Sequence, residues 1–156
     1  MTIAEGDPLP DLELTLPDGG PLRLGTYVGA PFVLYFYPKD DTTGCTREAQ
    51  AFSDHLTAFK GAGAAVLGVS KDSPAKHRKF IEKYNLAVPL ASDEEGRVIE
   101  AFGSWIEKSM YGRTYMGIDR STFLFDASGR LVRIWRKVRV PGHVEAVLEA
   151  VRALGA

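Results

Sequence analysis

Hydrophobic and polar positions fall along this chain in short periodic segments that can be read one at a time. Apolar and polar residues alternate from Leu12 to Leu16 and again from Pro21 to Leu24, across Pro17-Asp-Gly-Gly20, which predicts a small leading β-hairpin. Phe32-Val-Leu-Tyr-Phe-Tyr37 is an unbroken aromatic and β-branched run, the pattern of a strand buried on both faces, and Pro38 stops it. Between Thr43 and Lys60, the residues Cys45, Ala49, Phe52, Leu56 and Phe59 recur at spacings of four, three, four and three. That is the seam of one amphipathic helix, ended by Gly61-Ala-Gly63. A second buried strand is expected over Ala64–Ser70. Ser73-Pro74 then offers an N-cap and a first-turn proline to a helix with His77, Phe80, Ile81 and Tyr84 on one face and Asn85 beyond its end.

A short strand is expected from Val88 to Ala91, followed by Asp93-Glu-Glu-Gly96 and a brief helix through Phe102. The polar, glycine-containing stretch from Gly103 to Arg120 reads as a connection. Ser121–Phe125 and Leu131–Arg136 flank Asp126-Ala-Ser-Gly129 as a second hairpin, and Pro141 opens a closing helix whose apolar face is Val144, Val147, Leu148, Val151 and Leu154. Parallel βαβ units followed by an antiparallel ββα unit give an α/β fold with a mixed sheet and helices on both faces, the thioredoxin-like arrangement, preceded by an N-terminal β-hairpin. No repeat or linker divides the chain, so residues 1–156 are expected to form a single domain.

Composition narrows the partners more than the fold. The 156 residues carry 19 Lys and Arg against 20 Asp and Glu, so no global field favours nucleic acid or an anionic membrane. Arg130, Arg133, Arg136, Lys137 and Arg139 then read as a solvated strand edge. The longest apolar run, Phe32–Tyr37, is too short to span a bilayer, and Met1–Pro8 is acidic with no apolar core, so a soluble cytoplasmic protein is expected. A single cysteine excludes an intrachain disulfide, a CxxC redox pair and a Cys-rich zinc site. His55, His77 and His143 are expected on three separate helices as surface or half-buried groups without metal-ligand spacing, and no phosphate-binding glycine loop occurs. Neither a metal nor a cofactor is assigned.

The most informative window is Tyr37-Pro-Lys-Asp-Asp-Thr-Thr-Gly-Cys-Thr-Arg-Glu-Ala-Gln50, which joins the end of a buried strand to the start of a helix. In open α/β sheets ligands bind beyond the carboxyl ends of strands. A cysteine in the first helical turn faces unpaired N–H groups and the positive end of the helix dipole, and both favour a thiolate over a thiol. Periodicity alone also allows Cys45 to be a small core hydrophobe and Thr42 to be an ordinary N-cap.

Pro38-Lys-Asp-Asp-Thr42-Thr-Gly-Cys45 fits PxxxTxxC, and the chain resembles the peroxiredoxins through it, in particular the peroxiredoxin Q or bacterioferritin comigratory group. Trp105-Ile-Glu-Lys-Ser-Met-Tyr-Gly112 and Gly117-Ile-Asp-Arg120-Ser-Thr-Phe123 are similar to that group's later landmarks, and the likeness covers nearly the whole chain. The resemblance implies a thiol peroxidase acting on hydrogen peroxide and small organic hydroperoxides. In it, Cys45 attacks a peroxide oxygen and becomes a sulfenic acid. It further implies that the Thr42 hydroxyl holds sulfur and peroxide, Arg120 stabilises the moving charge and Pro38 shields the sulfur; Glu48, one helical turn from Cys45, is expected to orient Arg120 through a bidentate pair. The position where many relatives carry a resolving cysteine is Gln50 here, so a one-cysteine cycle is implied, released by thioredoxin, glutaredoxin, a low-molecular-weight thiol or Cys45 of another subunit, in a monomer or weak homodimer. A redox sensor or interaction module that uses the same cysteine without turnover is the alternative.

Overall fold

The alternating segments near the start of the chain pair as β1 (Glu13–Thr15) and β2 (Pro21–Arg23), with Leu14 opposite Leu22, in a computed structural model that describes residues 2–155. A 3-10 turn over Leu24–Tyr27 leads into β3 (Phe32–Phe36), of which every residue is buried. Complete burial follows from its place in the sheet. β4 (Ala65–Ser70) pairs parallel on one side, with Tyr35 opposite Gly68, and β8 (Ser121–Phe125) pairs antiparallel on the other, with Phe36 opposite Ser121. Each large apolar side chain so buried contributes about 1.5–3 kcal/mol.

Successive β3 side chains face opposite cores. Val33, Tyr35 and Tyr37 join Cys45, Phe52, Phe59 and Phe80 beneath helices α1 (Thr43–Asp54), α2 (Leu56–Gly61), α3 (Pro74–Tyr84) and α5 (His143–Leu154). Phe32, Leu34 and Phe36 join Val98, Ile99, Phe102 and Phe123 on the face covered by α4 (Arg97–Ala101) and the leading hairpin. β5 (Leu90–Ser92) extends the sheet parallel to β4, and β9 (Leu131–Trp135) closes its other edge, so the strand order is β2-β1-β5-β4-β3-β8-β9. This is the mixed α/β sheet with helices on both faces that the pattern predicts.

Five local expectations need correction. The single helix expected over Thr43–Lys60 is interrupted at His55, whose backbone leaves helical values (φ −97°, ψ 2°). The His55 ring Nδ1 lies 2.8 Å from the Ala51 carbonyl that the backbone N–H also uses, so side chain and backbone share one acceptor where the helix breaks. His55 therefore sits between α1 and α2 rather than on a helix. The stretch read as a connection contains a second, two-stranded sheet, β6 (Trp105–Met110) and β7 (Arg113–Ile118). Its turn residues, Tyr111 and Gly112, both take positive φ (53° and 77°), the conformation of a two-residue hairpin turn. β5 starts two residues later than expected, and α5 begins at His143, after Gly142 (φ 76°) rather than at Pro141. Finally, His77 and His143 are buried, 0% and 7% exposed, instead of being surface or half-buried groups.

Among the described residues no helix is long and apolar enough to cross a membrane.

Candidate active site

The sheet register decides what meets at the carboxyl end of β3. Phe36 lies opposite Ser121, so the chain leaving β3 and the chain entering β8 share one edge of the sheet. Residues 37–42 lead from the first into α1, while Asp119 and Arg120 link β7 to β8. The link is pinned on both sides: Asp119 N–H donates to the Ser104 carbonyl at 2.7 Å, and the Arg120 carbonyl accepts from Val138 N–H at 2.9 Å. The Asp119 carboxylate also accepts from Lys137 N–H at 3.2 Å. The guanidinium is thereby aimed at the first turns of α1.

Thr42 occupies the N-cap of α1, with extended backbone and its carbonyl accepting from Thr46 N–H at 2.8 Å. Cys45 lies in the first turn, where backbone N–H groups have no partner within the helix. Its side chain joins the apolar seam and is 2% exposed. Both readings of the sequence thus describe one residue: a sulfur packed in the core from beneath and faced by polar groups from the loop side.

Arg120 supplies two donors at once. Nη2 donates to Cys45 Sγ at 3.3 Å and Nη1 to Glu48 Oε1 at 2.7 Å, so the pair with Glu48 is a single bond and not the expected bidentate one, because the second nitrogen is taken by the sulfur. The spacing of Cys45 and Glu48, three residues apart on a helix, puts both on the side that a planar guanidinium can span. Gly44 leaves room for the approach, since a Cβ there would lie 3.1 Å from Arg120 Nη2, tighter than ordinary contact. Glu48 is fully buried and is not the solvated acid that a position near a helix start allows. Burial pushes its carboxyl up to about 7 against the pull of Arg120. Burial acts to lower Arg120, but Glu48 and Cys45 beside it hold it above its ordinary value. Among the described residues, Glu48 Oε2, Thr46 Oγ1 and the Tyr35 hydroxyl are buried without a hydrogen-bond partner. Tyr35 is pushed well above the usual phenol range, by burial first and then by Glu48 and Cys45.

The expected residues are not all placed alike. Cys45, Arg120 and Glu48 form one bonded group. Thr42 is exposed and its hydroxyl donates to the Lys39 carbonyl at 2.9 Å; among the described residues it makes no hydrogen bond to the sulfur. Pro38 is half-buried at the mouth of the same loop. Phe36 packs in the opposite core, away from the sulfur.

Two titratable neighbours escape a reading of the sequence. Half-buried Lys108 comes from the unexpected β6. Burial lowers its pKa, and the charges of Asp119, Arg120 and Cys45 act on it. His143, whose Nε2 lies 2.8 Å from Thr122 Oγ1, is pushed down to about 4 by burial and by Arg120. Among the described residues no group of three His, Cys, Asp or Glu side chains is placed to hold a metal ion.

Residues 5–134 match the AhpC/TSA family. The chain is 49% identical over 152 residues to Peroxiredoxin Bcp of Bacillus subtilis (strain 168), covering 97% of each. It is 41% identical over 146 residues to Peroxiredoxin Bcp of Escherichia coli (strain K12), covering 94% of each. Among solved structures, a Xylella fastidiosa PrxQ mutant superposes with a TM-score of 0.94 at 39% identity, over 100% of this chain and 99% of that one. Xanthomonas campestris bacterioferritin comigratory protein, described for its alkyl peroxide reduction activity, superposes with a TM-score of 0.89 at 44% identity, over 96% of this chain and 100% of that one. With the sulfur, the guanidinium and the loop between them in the places described, the chain belongs to the AhpC/TSA family, within its peroxiredoxin Q (Bcp) group of thiol-dependent peroxidases.

Proposed function

We propose that Cys45 is the nucleophile and that Arg120, Glu48, Thr42 and Pro38 form its catalytic setting. The observation that carries this assignment is the 3.3 Å contact from Arg120 Nη2 to Cys45 Sγ, at a residue nearly closed to water. The Cys45 thiolate attacks one oxygen of a peroxide ROOH, an S–O bond forms, the O–O bond breaks, and the alkoxide or hydroxide leaving group takes up a proton. Cys45 is left as sulfenic acid. Negative charge moves from sulfur across two oxygens, and a guanidinium already on the sulfur stabilises it along that path without having to reorganise.

Each remaining residue has a part set by its contacts. Glu48 holds Nη1, so that Nη2 and not the whole fork faces sulfur. The Thr42 hydroxyl proton is committed to Lys39, which leaves its oxygen free to accept from the peroxide O–H. Cys45 N–H, unpaired in the first turn, is a donor for the second peroxide oxygen. Pro38 offers no N–H and closes the loop side with a ring.

The chain holds one cysteine, so the sulfenic acid is resolved from outside. A thiol R′SH condenses with Cys45–SOH to give a mixed disulfide and water, and a second thiol releases Cys45. Thioredoxin, glutaredoxin or a low-molecular-weight thiol in the cytoplasm fills this role, and the enzyme acts as a monomer or weak homodimer. The test is mass spectrometry of protein treated with limiting peroxide: a gain of one oxygen on Cys45, converted by added thiol to a mixed disulfide, is expected. Cys45 left as thiol while peroxide disappears contradicts the assignment.

A further inference from the structure

The reaction draws on the Thr42 end of the Cys45 loop, while α3 grips the loop at its middle. Asp40 is 7% exposed although it lies in a connection. Its Oδ1 accepts from the Tyr37 hydroxyl at 2.5 Å, its Oδ2 lies 2.6 Å from His77 Nδ1, and its backbone N–H donates to Asp72 Oδ2 at 2.8 Å. The Ser70 hydroxyl, at the end of β4, donates to the same Asp72 oxygen at 2.8 Å. His77 is fully buried, and its other nitrogen lies 3.0 Å from the Ala91 carbonyl. The next loop residue, Asp41, takes a left-handed backbone (φ 61°), and its carboxylate accepts from the Tyr84 hydroxyl at 2.5 Å and from Lys83 Nζ at 2.8 Å. His77 and Tyr84 are seven residues apart on one face of α3, so the two ends of one helix hold two consecutive residues of the loop.

Burying an acid and a histidine together costs solvation that apolar packing would not, so bulk stability is a poor account of the pair. What apolar residues could not do is fix the Asp40 backbone and side chain in one orientation. We propose that the Asp40–His77 pair is a positioning clamp that keeps the Cys45 loop and the first turns of α1 closed in the peroxide-reactive conformation. The proposal rests on Cys45 as the peroxide-reactive residue.

Gln50→Cys makes opening visible. Positions 45 and 50 lie about 7.5 Å apart along the axis of an intact helix, beyond the reach of a disulfide. Condensation of Cys45–SOH with the introduced thiol, which forms S–S and releases water, therefore requires the helix to open. The experiment oxidises the Gln50→Cys protein with one equivalent of hydrogen peroxide and follows both the sulfenic acid and the intrachain disulfide by alkylation and mass spectrometry. The same protein carrying His77→Leu or Asp40→Asn is expected to form the disulfide at least about tenfold faster, because a buried pair is broken. His77→Gln, whose amide can still donate to Asp40, is expected to fall between. Leu131→Ala, in the opposite core, destabilises the fold without touching the loop and is expected to leave the rate unchanged. Equal rates in the parent and both clamp variants, or an equal acceleration by Leu131→Ala, would overturn the clamp. Absence of any sulfenic acid or disulfide at Cys45 in the parent overturns the assignment of Cys45 instead, and the clamp with it.

Discussion

Cys45 and Arg120 lie 75 positions apart in the chain and 3.3 Å apart in space, brought together because β3 and β8 pair with Phe36 opposite Ser121. The guanidinium can serve the sulfur because Glu48, fully buried, holds its other nitrogen. Removing it leaves both the thiolate and a buried carboxyl without a donor. Arg120→Ala is expected to slow Cys45 oxidation by about 2–4 kcal/mol, as loss of one fixed oxyanion donor does. Arg120→Lys restores little, since one ammonium cannot bridge Sγ and Oε1. Single-turnover measurement of Cys45 oxidation checks both, and an unchanged rate in Arg120→Ala refutes the role.

Gly44 separates stability from activity. In the first turn of α1, Gly44→Ala should gain up to about 1 kcal/mol of helix stability. The new Cβ nonetheless falls 3.1 Å from Arg120 Nη2, tighter than ordinary contact, so the guanidinium must shift by a few tenths of an ångström against the sulfur. The expected result is an equal or higher melting temperature with several-fold slower oxidation. Faster or unchanged oxidation would show that the guanidinium does not need its present place.

Thr42→Val removes the hydroxyl while keeping the shape of the side chain, and Thr42→Ser keeps the hydroxyl. A hydroxyl that accepts from peroxide predicts a slower oxidation step in the valine variant, by about 1–3 kcal/mol, and near-normal oxidation in the serine variant. Equal rates in the two variants would leave Thr42 as no more than the residue that starts α1.

Two buried groups give the fold opposite responses to acid. Glu48 has a folded pKa of about 7, raised by burial above its ordinary 4.5. The native state therefore binds this proton more tightly, and the contribution is fully present below about 4.5 and lost as pH rises through 7. His143 has a folded pKa of about 4, lowered by burial below its ordinary 6.5. Its contribution is present above 6.5 and lost as pH falls through 4. Between pH 4.5 and 6.5 the two slopes oppose each other. Glu48→Gln is expected to leave stability rising with pH across that window, and His143→Gln to leave it falling. Denaturant melts at several pH values measure the slopes, and slopes of the wrong sign contradict the burial argument.

Much of the fold could be read from the chain because most core segments are strongly periodic. The run from Phe32 to Tyr37, the Cys45–Phe59 seam and the Ser73-Pro74 helix start all state their burial locally. The β6–β7 hairpin could not be read that way, because it is largely solvated on both faces and carries no apolar alternation. Its one local signal is Tyr111-Gly112, whose positive φ values suit a two-residue turn. At the site, Cys45, Arg120 and Glu48 were reachable through motif resemblance. The part played by Gly44, the proximity of Lys108 and the burial of Asp40 with His77 depend on contacts between distant segments, which spacing does not encode.

The central claim is that one cysteine turns over. Steady-state consumption of hydrogen peroxide, measured with the chain at low concentration and a dithiol or thioredoxin in excess, tests it most directly. The account predicts many equivalents consumed per chain and none above background in Cys45→Ser. Consumption of a single equivalent followed by arrest under every reductant would contradict it.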